Sequence, residues 1–159
     1  MRGGRRHIDT LHRGWFSFGV NPYLVSASDL ALQESFLLGT LPPSAFDHRA
    51  HVVLAYAFLA QSGVDAAFGR LRAGLHDYLR AQQIDAAKYH ETLTRAWLLA
   101  VWHFMQRTPQ TSSAGDFIAR HPLLLDSGIM LTHYSSQRLF SSEARRRFVE
   151  PDLEPIPQQ

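Results

Sequence analysis

Two short segments carry the residues best suited to chemistry. In S-A-F-D-H-R-A-H, residues 44–51, His48 and His51 stand three positions apart; in K-Y-H-E-T, residues 88–92, His90 and Glu91 are adjacent. Neutral imidazole and carboxylate are donors to zinc, iron, manganese and copper. Histidines at i and i+3 can both touch one ion from a single helix face, and inward His and Glu from facing helices are how bundles build metal centres. A catalytic centre of this kind leaves one coordination position open for water or substrate. Neither H-E-x-x-H nor E-x-x-H occurs, so neither the metalloprotease helix nor the usual di-iron bundle pattern is met. Two plainer readings use the same residues. A histidine beside a glutamate is an acid–base pair without any metal. A buried histidine can also simply be satisfied by a main-chain carbonyl or by a carboxylate such as Glu91.

Helices must position these groups. Ser44 and Asp47 read as an S-x-x-D capping box, opening a helix that runs to Ser62 and stops at Gly63. Each helical residue advances about 100° around the axis, so His48 and His51 share a stripe with Ala55, Phe58 and Ser62, while Arg49 lies toward water. Asp85 is predicted to cap a helix over 86–106, in which His90 heads the stripe of Leu93, Thr94, Trp97, Val101 and Phe104, with Glu91 on its flank. An earlier helix, Asp29 to Leu38, has Ser28 as its N-cap and Gly39 as its stop; it puts Glu34 on the stripe of Leu30, Leu37 and Leu38. Another helix covers 65–82. Short connections favour antiparallel neighbours, so the 44–62 and 86–106 helices start at one end of the bundle. Glu34, His48, His51, His90 and Glu91 are predicted to converge there.

Beyond Pro109 the pieces shorten. T-S-S-A-G-D-F-I-A-R-H-P suggests one brief helix, residues 123–133 another, and S-S-E-A-R-R-R-F-V a last one from Ser141 or Ser142. T-H-Y-S-S at 132–136 offers His133, Tyr134 and Ser135, but no G-x-S-x-G elbow; its serines read as caps in a turn. The ending E-P-D-L-E-P-I-P-Q-Q is proline-rich and should be extended. The fold class is all-α: one domain, a bundle of four main helices with short C-terminal helices and an extended tail. The chain divides into a leader over 1–27, a helical domain over 28–150 and the tail over 151–159.

Composition excludes several function classes. No apolar run reaches the roughly 18 residues that span a bilayer, so no membrane role is expected. There is no cysteine, which rules out disulfides, zinc–thiolate sites and thiol nucleophiles and suits a cytoplasmic protein. The excess of positive charge lies in the leader, where Arg2, Arg5, Arg6 and Arg13 face Asp9 alone; residues 14–159 carry 12 basic and 13 acidic side chains. A nucleic-acid face belongs on the folded body, so none is expected. The leader has no adequate apolar core, which argues against a signal peptide.

Three stretches together, F-D-H-R-A-H-V-V-L-A-Y-A-F-L, K-Y-H-E-T-L-T-R-A-W and H-Y-S-S-Q-R-L-F-S-S-E-A-R-R-R-F-V-E-P-D-L-E-P-I-P, resemble a family of small bacterial all-helical proteins with no assigned activity. The resemblance covers roughly residues 44–157. It implies that His48, His51, Tyr89, His90, Glu91, Thr92, Tyr134 and Ser135 belong to the family pattern, and it supplies no reaction. Two functions follow from the residues. In the first, His48, His51 and His90 hold a divalent transition metal (zinc, iron, manganese or copper), Glu91 is a further ligand or general base, and Tyr89 and Tyr134 contact a small-molecule substrate. In the second, the chain is a non-catalytic helical module with structural histidines, which binds a partner protein or small ligand through P-D-L-E-P-I-P or the Arg145–Arg147 face.

Overall fold

The computed structural model describes residues 21–157, which form helices and turns with no β-strand among them. Most of the leader, with His7 and His12, lies outside the described residues. The all-α bundle of four main helices is the observed fold: α1 Ala27–Leu37, α2 His48–Gln61, α3 Val64–Ala81 and α4 Glu91–Gln106. No described helix is long and apolar enough to cross a membrane.

Capping sets where each helix begins, and it moves three of the expected starts. Ser26, not Ser28, caps α1: its hydroxyl accepts the Asp29 N–H at 3.1 Å and Asp29 returns a bond to the Ser26 N–H. Gly39 ends that helix as expected, in the left-handed region at φ 69°, where only glycine sits without strain. Ser44 falls in a 3-10 turn, Pro43–Ala45, and caps nothing. Asp47 is itself the N-cap of α2, accepting the Ala50 N–H at 2.9 Å. His48 is therefore the first helical residue. Asp85 caps only the 3-10 turn Ala86–Lys88. The chain is then extended at Tyr89 and His90, and α4 starts at Glu91 with His90 as its cap.

α2 runs through the middle of the bundle, against α1, α3 and α4. Residues 52–60 are all buried, as a helix apolar on every side must be. Full burial of Val52, Leu54, Phe58 and Leu59 contributes about 1.5–3 kcal/mol each before the entropic cost of ordering them. Phe36 of α1 meets Phe58 and Tyr78 at ring separations of 6.4 and 5.7 Å. Gly74 on α3 makes room for that ring: a Cβ there would stand 2.7 Å from Phe36 Cε1.

A second core lies on the far face of α4. It is built from Ala96 and Leu99 with Met130, Tyr134, Leu139, Ala144, Val149 and Ile156. The C-terminal pieces that supply it are α5 Ala114–Arg120, the 3-10 turns Pro122–Leu125 and Ser127–Ile129, and the short helices α6 Met130–His133, α7 Ser136–Leu139 and α8 Ser142–Arg146. The Thr92 hydroxyl ties this region to α4, donating to the Arg147 carbonyl at 2.9 Å and accepting the Val149 N–H at 3.2 Å. The residues after α8 are not helical. They fold back, with the Leu153 N–H on the His133 carbonyl and Ile156 buried. Of the apolar side chains in P-D-L-E-P-I-P, Leu153, Pro155 and Pro157 are exposed and Ile156 is buried.

Candidate functional site

Antiparallel packing puts the starts of α2 and α4 at one end, beside the C-terminal half of α3. A cavity of about 700 Å³ opens there. Its walls are mainly apolar: Leu71, Leu75 and Leu79 from α3, Leu93, Trp97 and Leu98 from α4, and Phe46 and Ala55 from α2 and its approach. Met130, Leu131, Leu139 and Phe140 come over from the C-terminal region, and Leu131 and Phe140 stay substantially exposed at the rim. The polar members are Asp47, His48, His51, Tyr78, Lys88, Tyr89, His90, Thr94 and Ser127, and the Tyr78 hydroxyl is spent on the Leu41 carbonyl at 2.9 Å.

Three expected site histidines and Tyr89 thus line one cavity, but each imidazole has its own main-chain partner. His48 Nε2 is 2.8 Å from the Leu124 carbonyl. His51 Nδ1 is 2.8 Å from the Asp47 carbonyl. His90 Nε2 is 2.8 Å from the Leu139 carbonyl. A carbonyl only accepts, so each of these nitrogens carries the proton and donates it. The tautomers follow: His48 keeps a lone pair on Nδ1, His51 on Nε2 and His90 on Nδ1. His90 has spent its lone pair, because Nδ1 accepts the Leu93 N–H at 3.1 Å. It is a helix cap with both nitrogens engaged. Among the described residues, His48 Nδ1 and His51 Nε2 make no hydrogen bond.

Aromatic neighbours hold two of these rings in place. His51 stacks on Phe46 with centroids 4.0 Å apart and planes 9° from parallel. His48 meets Trp97 edge-on at 4.5 Å. Burial pushes the His51 pKa down from its ordinary value, partly opposed by the bond to Asp47. Burial likewise lowers His90, against the opposing bond to Leu139, and the Arg145 charge lowers it further. A protonated His90, only 7% exposed, would have no lone pair left for the Leu93 N–H that its Nδ1 accepts.

Other expected site residues stand elsewhere. Glu91 is buried beside the cavity rather than in its wall: Oε2 accepts the Tyr89 hydroxyl at 2.7 Å and pairs with Arg72 Nε at 3.2 Å. It therefore partners neither His48 nor His51. That hydroxyl is held protonated, since burial and the Glu91 bond both raise the Tyr89 pKa. Tyr134 belongs to the second core, donating to the Val149 carbonyl at 2.9 Å, with its pKa pushed up by burial to about 12. Glu34 is exposed, because Leu30, Leu37 and Leu38 face water and α1 buries Asp29, Gln33 and Phe36 instead. His133 Nδ1 donates to the Glu154 carbonyl. Ser135 caps α7 and binds Asp152.

These placements do not assemble the expected metal set. Among the described residues, no three of His, Asp and Glu are grouped so as to hold an ion. His90 could coordinate only by uncapping α4. The sequence reading overlooked Lys88 and Phe46 as cavity residues, although both stand in the quoted segments. It also had no signal for the Leu124 and Leu139 carbonyls, since main-chain acceptors leave no mark on side-chain patterns. Compared with protein-family models, curated proteins and solved structures, the chain matches none.

Proposed function

We propose that this protein binds a small, largely apolar molecule in the cavity between α2, α3 and α4, with imidazoles as its polar anchors. One observation carries the reading: an apolar wall of ligand-binding size contains two histidines, His48 and His51, each with one nitrogen committed to a carbonyl and one uncommitted. Small-molecule sites share this plan of a mostly apolar cavity of a few hundred Å³ with a few fixed polar groups. The small ligand is the element common to both functions read from the sequence. The metal form is less well supported, since protein-bound zinc takes three or four protein ligands and His90 is occupied by its capping bond.

Titration of the full chain with aminoanthracene, a neutral fluorescent apolar probe, tests the reading. Saturable binding at one probe per chain is expected, with quenching of Trp97, which lines the cavity. Leu93→Trp fills the space from α4 and should weaken binding about tenfold, roughly 1.4 kcal/mol, with the circular dichroism spectrum unchanged. Unsaturable uptake, or full affinity in the folded Leu93→Trp variant, would overturn it.

A further inference from the structure

The polar half of the cavity has a definite hydrogen-bonding sense. His48, His51 and His90 all turn an N–H outward onto carbonyls of the protein itself, at Leu124, Asp47 and Leu139. His48 and His51 each keep one lone pair free, on Nδ1 and Nε2, while His90 has none to spare. The Thr94 hydroxyl spends its proton on the His90 carbonyl at 2.8 Å, and the Tyr89 hydroxyl spends its own on Glu91. Asp47 is acceptor-only as a carboxylate. A ligand that offers only acceptors, such as an ether, ketone or ester, finds as donors only the Ser127 hydroxyl and the Lys88 ammonium, both on exposed turns; one that offers an O–H finds several acceptors.

Charge narrows the class further. Apart from the histidines, the charged residues lining the cavity are Asp47 and Lys88, one of each sign. They give the wall no net charge to match an ion. Lys88 is exposed on a 3-10 turn, where an ammonium is well hydrated and its attraction for a carboxylate is weak. Moving an ion into apolar surroundings without a dedicated partner is costly. A neutral ligand avoids that cost.

We infer that the ligand is an apolar molecule carrying a neutral hydroxyl group, a phenol or alcohol, whose O–H donates to His51 Nε2 while its hydrocarbon part lies against Leu71, Leu75, Trp97 and Leu98. This rests on the cavity being a binding site, as proposed above. His51 is the better placed of the two free imidazoles. It sits at the open end, and its ring is fixed on both sides by the stack on Phe46 and the bond to Asp47. Its acceptor is therefore pre-oriented, which spares the ligand the entropy of ordering it.

The experiment compares three shape-matched probes on the full chain at about pH 8, where the imidazoles are neutral: para-butylphenol, its methyl ether para-butylanisole, and para-butylbenzoate, each by displacement of aminoanthracene. The phenol should bind about tenfold more tightly than the ether, the value of one net hydrogen bond, and more tightly than the benzoate. His51→Phe keeps the stack on Phe46 and removes the acceptor; it should shrink the phenol-to-ether ratio to about twofold or less while leaving ether affinity unchanged. A ratio near one in the parent chain, a ratio that survives His51→Phe, or benzoate as the tightest probe would each overturn the hydroxyl assignment and leave the cavity reading standing. Failure of all three probes and of aminoanthracene to bind would overturn both.

Discussion

Replacing His90 separates a cap from a ligand. The imidazole accepts the Leu93 N–H through Nδ1 and donates to the Leu139 carbonyl through Nε2, and it is only 7% exposed. His90→Ala removes an N-cap bond worth about 1 kcal/mol. It also leaves the buried Leu139 carbonyl without its donor, which costs about 1–3 kcal/mol. The expected loss is about 2–4 kcal/mol, or about 5–15 °C in Tm for a domain of this size. Asparagine is a strong N-cap but too short to replace the bond to Leu139, so His90→Asn should recover about 1 kcal/mol of the loss. Urea unfolding followed by tryptophan fluorescence gives all three values. An alanine variant within about 0.5 kcal/mol of the parent, as for an ordinary surface change, would refute the capping assignment. So would an asparagine variant no more stable than the alanine one.

Gly74→Ala should destabilise by about 1–3 kcal/mol through the clash with Phe36, although alanine is the better helix former by about 1 kcal/mol; thermal melts read the sign, and a gain in Tm would contradict the close approach of α1 and α3. Tyr134→Phe should cost about 1 kcal/mol by orphaning the Val149 carbonyl, with aminoanthracene affinity unaltered; weakened probe binding would place Tyr134 in the site after all. Acid should weaken the fold in a particular window. Burial lowers the pKa values of His51, His90, His103 and His121 below the ordinary 6.5, so the unfolded chain takes up these protons first. The stability is complete above about pH 6.5 and is lost as pH falls from there through the lower folded values. Urea midpoints should therefore decline between about pH 7.5 and 5.5, and a flat or rising midpoint would contradict the neutral imidazoles. Asp116 and Asp152, lowered by their bonds to Ser112 and Ser135, act in a separate window below the ordinary aspartate value of 3.8.

Reading the sequence placed four helices and one end of the bundle correctly because those depend on periodicity and on punctuation by glycine and proline. Gly39 and Gly63 stop or start helices where expected, and α2 and α4 do bring His48, His51, Tyr89 and His90 to one cavity. The orientation of α1 was not legible. Its leucines suggested the inward face, yet Gln33 is buried because its side-chain amide pairs reciprocally with that of Gln61 at 2.8 and 3.2 Å, and a satisfied amide can be buried. The start of α4 was hidden for a related reason. Histidine is a rare cap, so Asp85 drew the boundary five residues early, and His90 read as a group with a nitrogen to spare. A histidine's availability depends on which carbonyls fold back onto it, and those come from Leu124 and Leu139, far away in sequence.

The two bonds of the Thr92 hydroxyl have a consequence for how the molecule opens. One side chain at the start of α4 holds both the Arg147 carbonyl and the Val149 amide, and the Tyr134 hydroxyl holds the Val149 carbonyl. The strand of chain after α8 is thereby locked to the first turn of the helix that carries His90. Its amide protons should exchange with solvent only when that helix turn opens, as one cooperative unit. Proteases that nick exposed ends should pass over 147–149 while the core is closed. A chain cut after Arg146 would free the Thr92 hydroxyl in the interior and loosen Leu139, one wall of the cavity, from below. Material added at the C-terminal end is therefore best joined beyond Ile156, whose side chain is only 5% exposed.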